Sequence, residues 1–121
     1  LEPARALRVA RGVASALAHV HAQGVTHRDL KPGNVLLRPD DSPALADFGL
    51  ALDLEEERLT QTKQLLGTPA YMAPEQLACR REAVGPATDV FALGVLLHEL
   101  LTGERPWEGE SALELAVAQL E

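Results

Sequence analysis

His27-Arg28-Asp29-Leu30-Lys31-Pro32-Gly33-Asn34 is the stretch on which the reading of this 121-residue sequence turns. It is dense in charge, His, Pro and Gly, which reads as a loop, and it gathers a carboxylate, an ammonium and an amide within six positions. Three further stretches follow it. Asp47-Phe48-Gly49 comes next, with Asp47 eighteen positions after Asp29 and thirteen after Asn34. Then come Gly67-Thr68-Pro69-Ala70-Tyr71-Met72-Ala73-Pro74-Glu75 and Thr88-Asp89-Val90. Each alone is weak evidence, and Asp-Phe-Gly alone carries almost none. All of them, in this order and at this spacing, leave little room for coincidence.

The elements around the loop follow from periodicity and breakers. Upstream, Ala6, Val9, Val13, Leu17 and Val20 recur at helical spacing behind Pro3, which predicts an amphipathic helix from about Pro3 to Ala22, with Gly24 as its stop. Downstream, the apolar runs Val35-Leu36-Leu37 and Ala44-Leu45-Ala46 flank Pro39, Asp40, Asp41, Ser42 and Pro43, a hairpin signal. From Asp53 to Thr68 the chain is acidic and then rich in Thr and Gln, without periodicity, and reads as a long surface loop with Glu55, Glu56 and Glu57 as a solvated charge run. A short helix is expected from Pro74 to about Cys79. After Gly85 and Pro86, a helix from about Ala87 to Leu101 is apolar nearly all round, which marks it as buried on several sides. Gly103 and Pro106 end it, and Ser111-Ala112-Leu113-Glu114 is a capping box that opens a last helix.

Composition bounds the function classes. The length is that of a single domain, and a hydrophobic content of 46% argues against disorder. Aromatic content is 3%, so the core must be built from Leu, Val and Ala. A net charge of −7 disfavours non-specific attraction to nucleic acid and to anionic membrane surfaces. The single cysteine, Cys79, excludes an internal disulfide and a cysteine metal cluster. No secretory leader is visible from Leu1 to Arg11, so a reduced, cytoplasmic setting is expected for this segment, with any membrane anchor lying outside it. The most apolar run, Val90 to Leu101, contains His98 and Glu99 and is only twelve residues long, against the roughly 20 needed to span a bilayer.

Over essentially its whole length the sequence resembles the eukaryotic-type protein kinases. Lys31, two places after Asp29, resembles the serine/threonine branch, because tyrosine kinases usually place Ala or Arg there. The style of Gly67 to Glu75 is similar to bacterial members. The resemblance implies an α+β, protein-kinase-like fold: most of a mainly helical C-terminal lobe with a short β-hairpin, and no N-terminal lobe. Residues 27–34 would be the catalytic loop, 47–49 the metal loop, 47–75 the activation segment, and about 87–101 the buried helix. It further implies ATP-dependent transfer of phosphate to Ser or Thr of protein substrates, a second copy phosphorylated in trans among them.

The implied roles make physical sense. Transfer to an alcohol needs an acceptor for the hydroxyl proton, and Asp29 is the candidate. Charge on the transferring group needs cations, which Lys31 and magnesium (or manganese) supply. Asn34 offers an amide oxygen and Asp47 a carboxylate, the hard ligands such an ion prefers. Arg28 resembles the arginine that grips a phosphorylated activation loop, for which Thr60 and Thr62 are the best-placed acceptors. Thr68 resembles the threonine whose hydroxyl links to the residues at Asp29 and Lys31. Asp89 resembles the buried-helix aspartate that anchors the backbone near His27 and Arg28. Glu75 resembles a glutamate that normally pairs with a later arginine, which these residues do not supply.

Blander readings stand beside these. Asp29, Lys31 and Asn34 are also ordinary turn residues beside a proline, and Thr60 and Thr62 also suit a solvated loop. His19 and His21 fall on roughly opposite faces of a helix, which makes them, with His27, structural residues rather than a metal site. Trp107 reads as a packing residue, and Cys79 carries no role. A Gly-rich phosphate loop and a strand lysine with its glutamate partner cannot be located in these residues, so the chain alone is expected to be inactive, marginally stable and prone to aggregate. The competing classes are a pseudokinase or truncated remnant acting as a binding module, a metal-dependent hydrolase using Asp29 and Asp47, and a small-molecule kinase of the aminoglycoside type. The retained polar residues argue against the first, and the stretch from Gly67 to Glu75 against the last.

Overall fold

The computed structural model describes residues 2–46 and 69–107, together with Glu114 and Gln119. Helix α1 spans Pro3–Ala22, strands β1 and β2 span Val35–Leu37 and Pro43–Leu45, helix α2 spans Pro74–Leu77, and helix α3 spans Pro86–Thr102. Short 3-10 turns cover Pro32–Asn34, Pro69–Tyr71 and Arg81–Ala83.

Helix α1 starts on a proline, whose missing N–H costs nothing in a first turn. It buries Ala6, Val9, Ala10, Val13 and Leu17 along one stripe. That stripe meets Leu30 and Ala92, with Val35, Leu45, Leu93 and Leu100 packed around it. Complete burial of Leu17 or Val13 contributes roughly 1.5–3 kcal/mol each. Gly24 follows with φ 80°, a left-handed conformation in which a Cβ would be strained.

The two strands pair antiparallel, Val35 facing Leu45, Leu36 facing Ala44 and Leu37 facing Pro43. The second strand thus begins at Pro43, one residue before the apolar run that announced it. Proline has no ladder N–H to lose and is tolerated at a first strand position. The hairpin leans on α1 at Gly12, where a Cβ would lie 2.4 Å from Pro43 Cδ. Arg5 clamps the same junction from the surface, donating from Nε and Nη2 to the two carboxylate oxygens of Asp41 at 3.1 and 3.0 Å.

Helix α3 buries Thr88, Asp89, Ala92, Val95 and Leu96, while Val90 is 59% and Leu101 44% exposed. Phe91, Leu93, Leu97 and Leu100 are half-buried, so the helix is covered around much of its circumference and open along a strip that includes Val90 and Leu101. Gly103 closes it in the left-handed conformation, its N–H bonding to Glu99 O at 2.8 Å. Trp107 packs as expected, stacked on Phe91 with ring centroids 5.5 Å apart. The acidic and Thr/Gln-rich stretch to Thr68 lies outside the described residues, as does the last helix except for Glu114 and Gln119. No helix among the described residues is long and apolar enough to cross a membrane.

Candidate active site

The loop between α1 and β1 is built around one buried carboxylate. Asp89, in the first turn of α3, has a side chain only 1% exposed. Its Oδ2 accepts the His27 N–H at 2.7 Å and its Oδ1 the Arg28 N–H at 2.9 Å. Oδ2 also meets His21 Nε2 at 2.8 Å, and since a carboxylate only accepts, this nitrogen carries the proton. Three donors from two elements converge on one side chain, which is what a charge needs to survive burial.

His27 is fully buried and its ring is satisfied at both nitrogens. Nε2 lies 2.7 Å from the Ala46 carbonyl, and Nδ1 accepts the Asp29 N–H at 3.1 Å. A carbonyl cannot donate and an amide N–H cannot accept, so the ring is the neutral tautomer protonated at Nε2. Arg28, between these residues, has φ 74°. A non-glycine residue in that region costs on the order of 1–3 kcal/mol and persists only where its surroundings over-determine it. Here they do: Asp89 holds the Arg28 N–H, and Gln76 Nε2 donates to the Arg28 carbonyl at 2.9 Å.

This frame brings the expected residues together. Lys31 Nζ stands 3.6 Å from Asp29 Oδ2. Asn34, buried in its 3-10 turn, donates from Nδ2 to the Asp29 carbonyl at 2.7 Å and to Asp29 Oδ2 at 3.3 Å. Both contacts engage the amide nitrogen and leave the amide oxygen on the opposite branch, the donor type that suits a hard divalent cation. Asp47, the other expected ligand, lies outside the described residues, as do Thr60, Thr62 and Thr68. Arg28 Nε and Nη1 are buried without a hydrogen-bond partner among the described residues.

Glu75 does have a partner. Thr88 Oγ1 donates to Glu75 Oε2 at 2.6 Å while accepting the Gly85 N–H at 3.1 Å. Among the described residues, the Glu75 carboxylate is thus met by a hydroxyl. Tyr71 donates to Glu99 Oε1. Burial first, then that hydrogen bond, push the Tyr71 hydroxyl up to about 12. Reading the residues in order missed His21, Gln76, Thr88 and the Tyr71–Glu99 pair. The sequence marks His21 only as a structural histidine, and its contact with Asp89 spans 68 positions. His19 instead meets Gln23 on the surface, at 3.1 Å.

A buried aspartate thus anchors a strained loop in which Asp29, Lys31 and Asn34 stand together. The whole chain, residues 1–121, matches the protein kinase domain family, and it belongs to that family. It is 42% identical over 121 residues to the serine/threonine-protein kinase PknL of Mycobacterium tuberculosis, covering all of this chain and 30% of that protein. It is 47% identical over 118 residues to PkaA of Streptomyces coelicolor, covering 95% of this chain and 21% of that kinase. With PrkC of Bacillus subtilis it shares 39% over 121 residues, all of this chain and 18% of that one. The chain thus spans less than a third of each of these relatives.

Proposed function

We propose that this chain is most of the C-terminal lobe of a serine/threonine protein kinase and supplies its catalytic half. The observation that carries the reading is the convergence of Lys31 Nζ and Asn34 Nδ2 on Asp29 Oδ2, at 3.6 and 3.3 Å, on a loop held by Asp89. Asp29 orients the substrate hydroxyl and accepts its proton as the oxygen attacks the γ-phosphorus of ATP. Lys31 offsets the negative charge that the phosphoryl oxygens carry during transfer. Asn34, through its amide oxygen, and Asp47 would hold magnesium, with manganese a fitting substitute. When bound, the ion neutralises charge on the phosphates.

Among the described residues the Arg28 Nε and Nη1 have no hydrogen-bond partner, which suits an anion, and we assign that anion to phosphorylated Thr60 or Thr62. Phosphorylation in trans by a second copy is the route we favour. Thr68 would link to Asp29 and Lys31, and the Gly67–Glu75 stretch would shape the docking site for peptide substrates. These residues contain no Gly-rich phosphate loop, so the activity is assigned to the whole protein, and the chain alone is inactive.

The test is incubation of the full-length protein with labelled ATP, magnesium and a panel of protein substrates. Label on phosphoserine and phosphothreonine is expected. Release of label to water alone would point to a hydrolase and overturn the proposal.

A further inference from the structure

The peptide group joining Arg28 to Asp29 is pinned at both ends by side chains. Its N–H donates to His27 Nδ1 at 3.1 Å, and its carbonyl accepts from Gln76 Nε2 at 2.9 Å. The preceding residue is already in a left-handed conformation, with φ 74°. Rotation of this one peptide plane changes ψ of Arg28 and φ of Asp29, the torsions that set where the Asp29 side chain leaves the backbone. His27 belongs to the loop itself. Gln76 does not: it lies in α2, 48 positions away, and its Oε1 accepts the Ala73 N–H at 3.0 Å. One side chain therefore ties the backbone of the Gly67–Glu75 stretch to the carbonyl that precedes the proposed proton acceptor.

We propose that Gln76 is a positioning residue for catalysis, holding the Arg28–Asp29 peptide in the orientation that aims Asp29. The inference rests on the kinase reading for its kinetic consequence, though its structural consequence is independent of it. A simpler role is available, since Gln76 is the third residue of α2 and its Oε1 satisfies the N–H of the residue before the helix. The two roles use different atoms. Capping needs an acceptor, whereas holding the loop needs a donor.

Gln76→Glu separates them. A glutamate keeps the acceptor and suits a helix first turn at least as well, but it has no N–H for the Arg28 carbonyl. In the full-length protein we expect kcat to fall about tenfold, equivalent to ~1.4 kcal/mol, with KM for ATP within about twofold of wild type. Amide exchange of the peptide covering 28–34 should quicken while thermal stability holds. Gln76→Met removes both bonds without placing a charge beside the loop, and it should show the same kinetic and exchange changes. Wild-type kcat and wild-type exchange in either folded variant would overturn the proposal and leave Gln76 a cap. If the wild-type protein transferred no phosphate, the kinase reading would fail instead. The exchange comparison would then decide alone: faster exchange in the variants supports the positioning role, and unchanged exchange refutes it.

Discussion

Replacing Asp89 by Asn exposes how much of the loop rests on one carboxylate. The two side chains have nearly the same shape, so the change is one of hydrogen-bond chemistry. Asp89 accepts from His27 N, Arg28 N and His21 Nε2 at 2.7, 2.9 and 2.8 Å. Asparagine offers one acceptor oxygen and one NH2 group. If its oxygen faces His27 and His21, its NH2 meets the Arg28 N–H, two donors pointed at each other. The flipped amide orphans the other pair. Each orientation therefore loses at least one charge-assisted bond, about 1.5–3 kcal/mol, and leaves a buried N–H unsatisfied at about 1–3 kcal/mol. The sum for Asp89→Asn is roughly 2.5–6 kcal/mol, a large share of the 5–15 kcal/mol that typically holds a domain together. Urea unfolding of the full-length protein, followed by amide exchange of the peptides covering residues 13–34, measures it. A double-mutant cycle with His21→Asn should return a coupling of about 1 kcal/mol or more, because both changes act on the same Oδ2. A loss below about 0.5 kcal/mol in Asp89→Asn would mean that the loop does not depend on this carboxylate.

Other consequences are smaller. Gly12→Ala should gain about 1 kcal/mol of helix propensity yet destabilise overall, since the new Cβ would lie 2.4 Å from a Pro43 ring that cannot swing away. Thermal melting should register the drop, and a raised Tm would show that the hairpin shifts freely on α1. Thr88→Val keeps the shape but strips the hydroxyl shared by Glu75 and Gly85, and chemical unfolding should show a loss of about 1–3 kcal/mol. Tyr71 is held protonated to about 12 in the fold against an ordinary value near 10. The native state therefore keeps a proton that the unfolded chain releases, so stability is intact below pH ~10 and declines as pH rises toward about 12. In Tyr71→Phe that alkaline component should vanish, and a pH–melting profile identical to wild type would contradict it.

Periodicity made the scaffold legible and could not supply its long-range contacts. The helix expected from Pro3 to Ala22 is α1 residue for residue, because an apolar stripe, an initiating proline and Gly24 all agree on its limits. The helix expected from Ala87 to Leu101 extends one residue at each end, the usual uncertainty of helix termini. Its exposed Val90 and Leu101 could not be foreseen, since an all-apolar circumference does not say which side is covered. That the Asp29, Lys31 and Asn34 side chains would lie close together was readable because they fall within six positions of one loop. Asp89 was readable only through the family resemblance. Gln76 and His21 act across 48 and 68 positions through single hydrogen bonds, and such partnerships leave no local pattern.

In the proposed reaction, Asp29 accepts the proton of a Ser or Thr hydroxyl during phosphoryl transfer from ATP. The most direct measurement is single-turnover transfer of labelled phosphate to a protein substrate by the full-length enzyme and its Asp29→Asn variant. The backbone bond from Asn34 Nδ2 to the residue 29 carbonyl does not depend on the carboxylate, so the loop should keep its place. A fall of about 10²–10⁴ in rate, with ATP affinity preserved, is the predicted result. A variant that transfers phosphate at the wild-type rate would contradict the account.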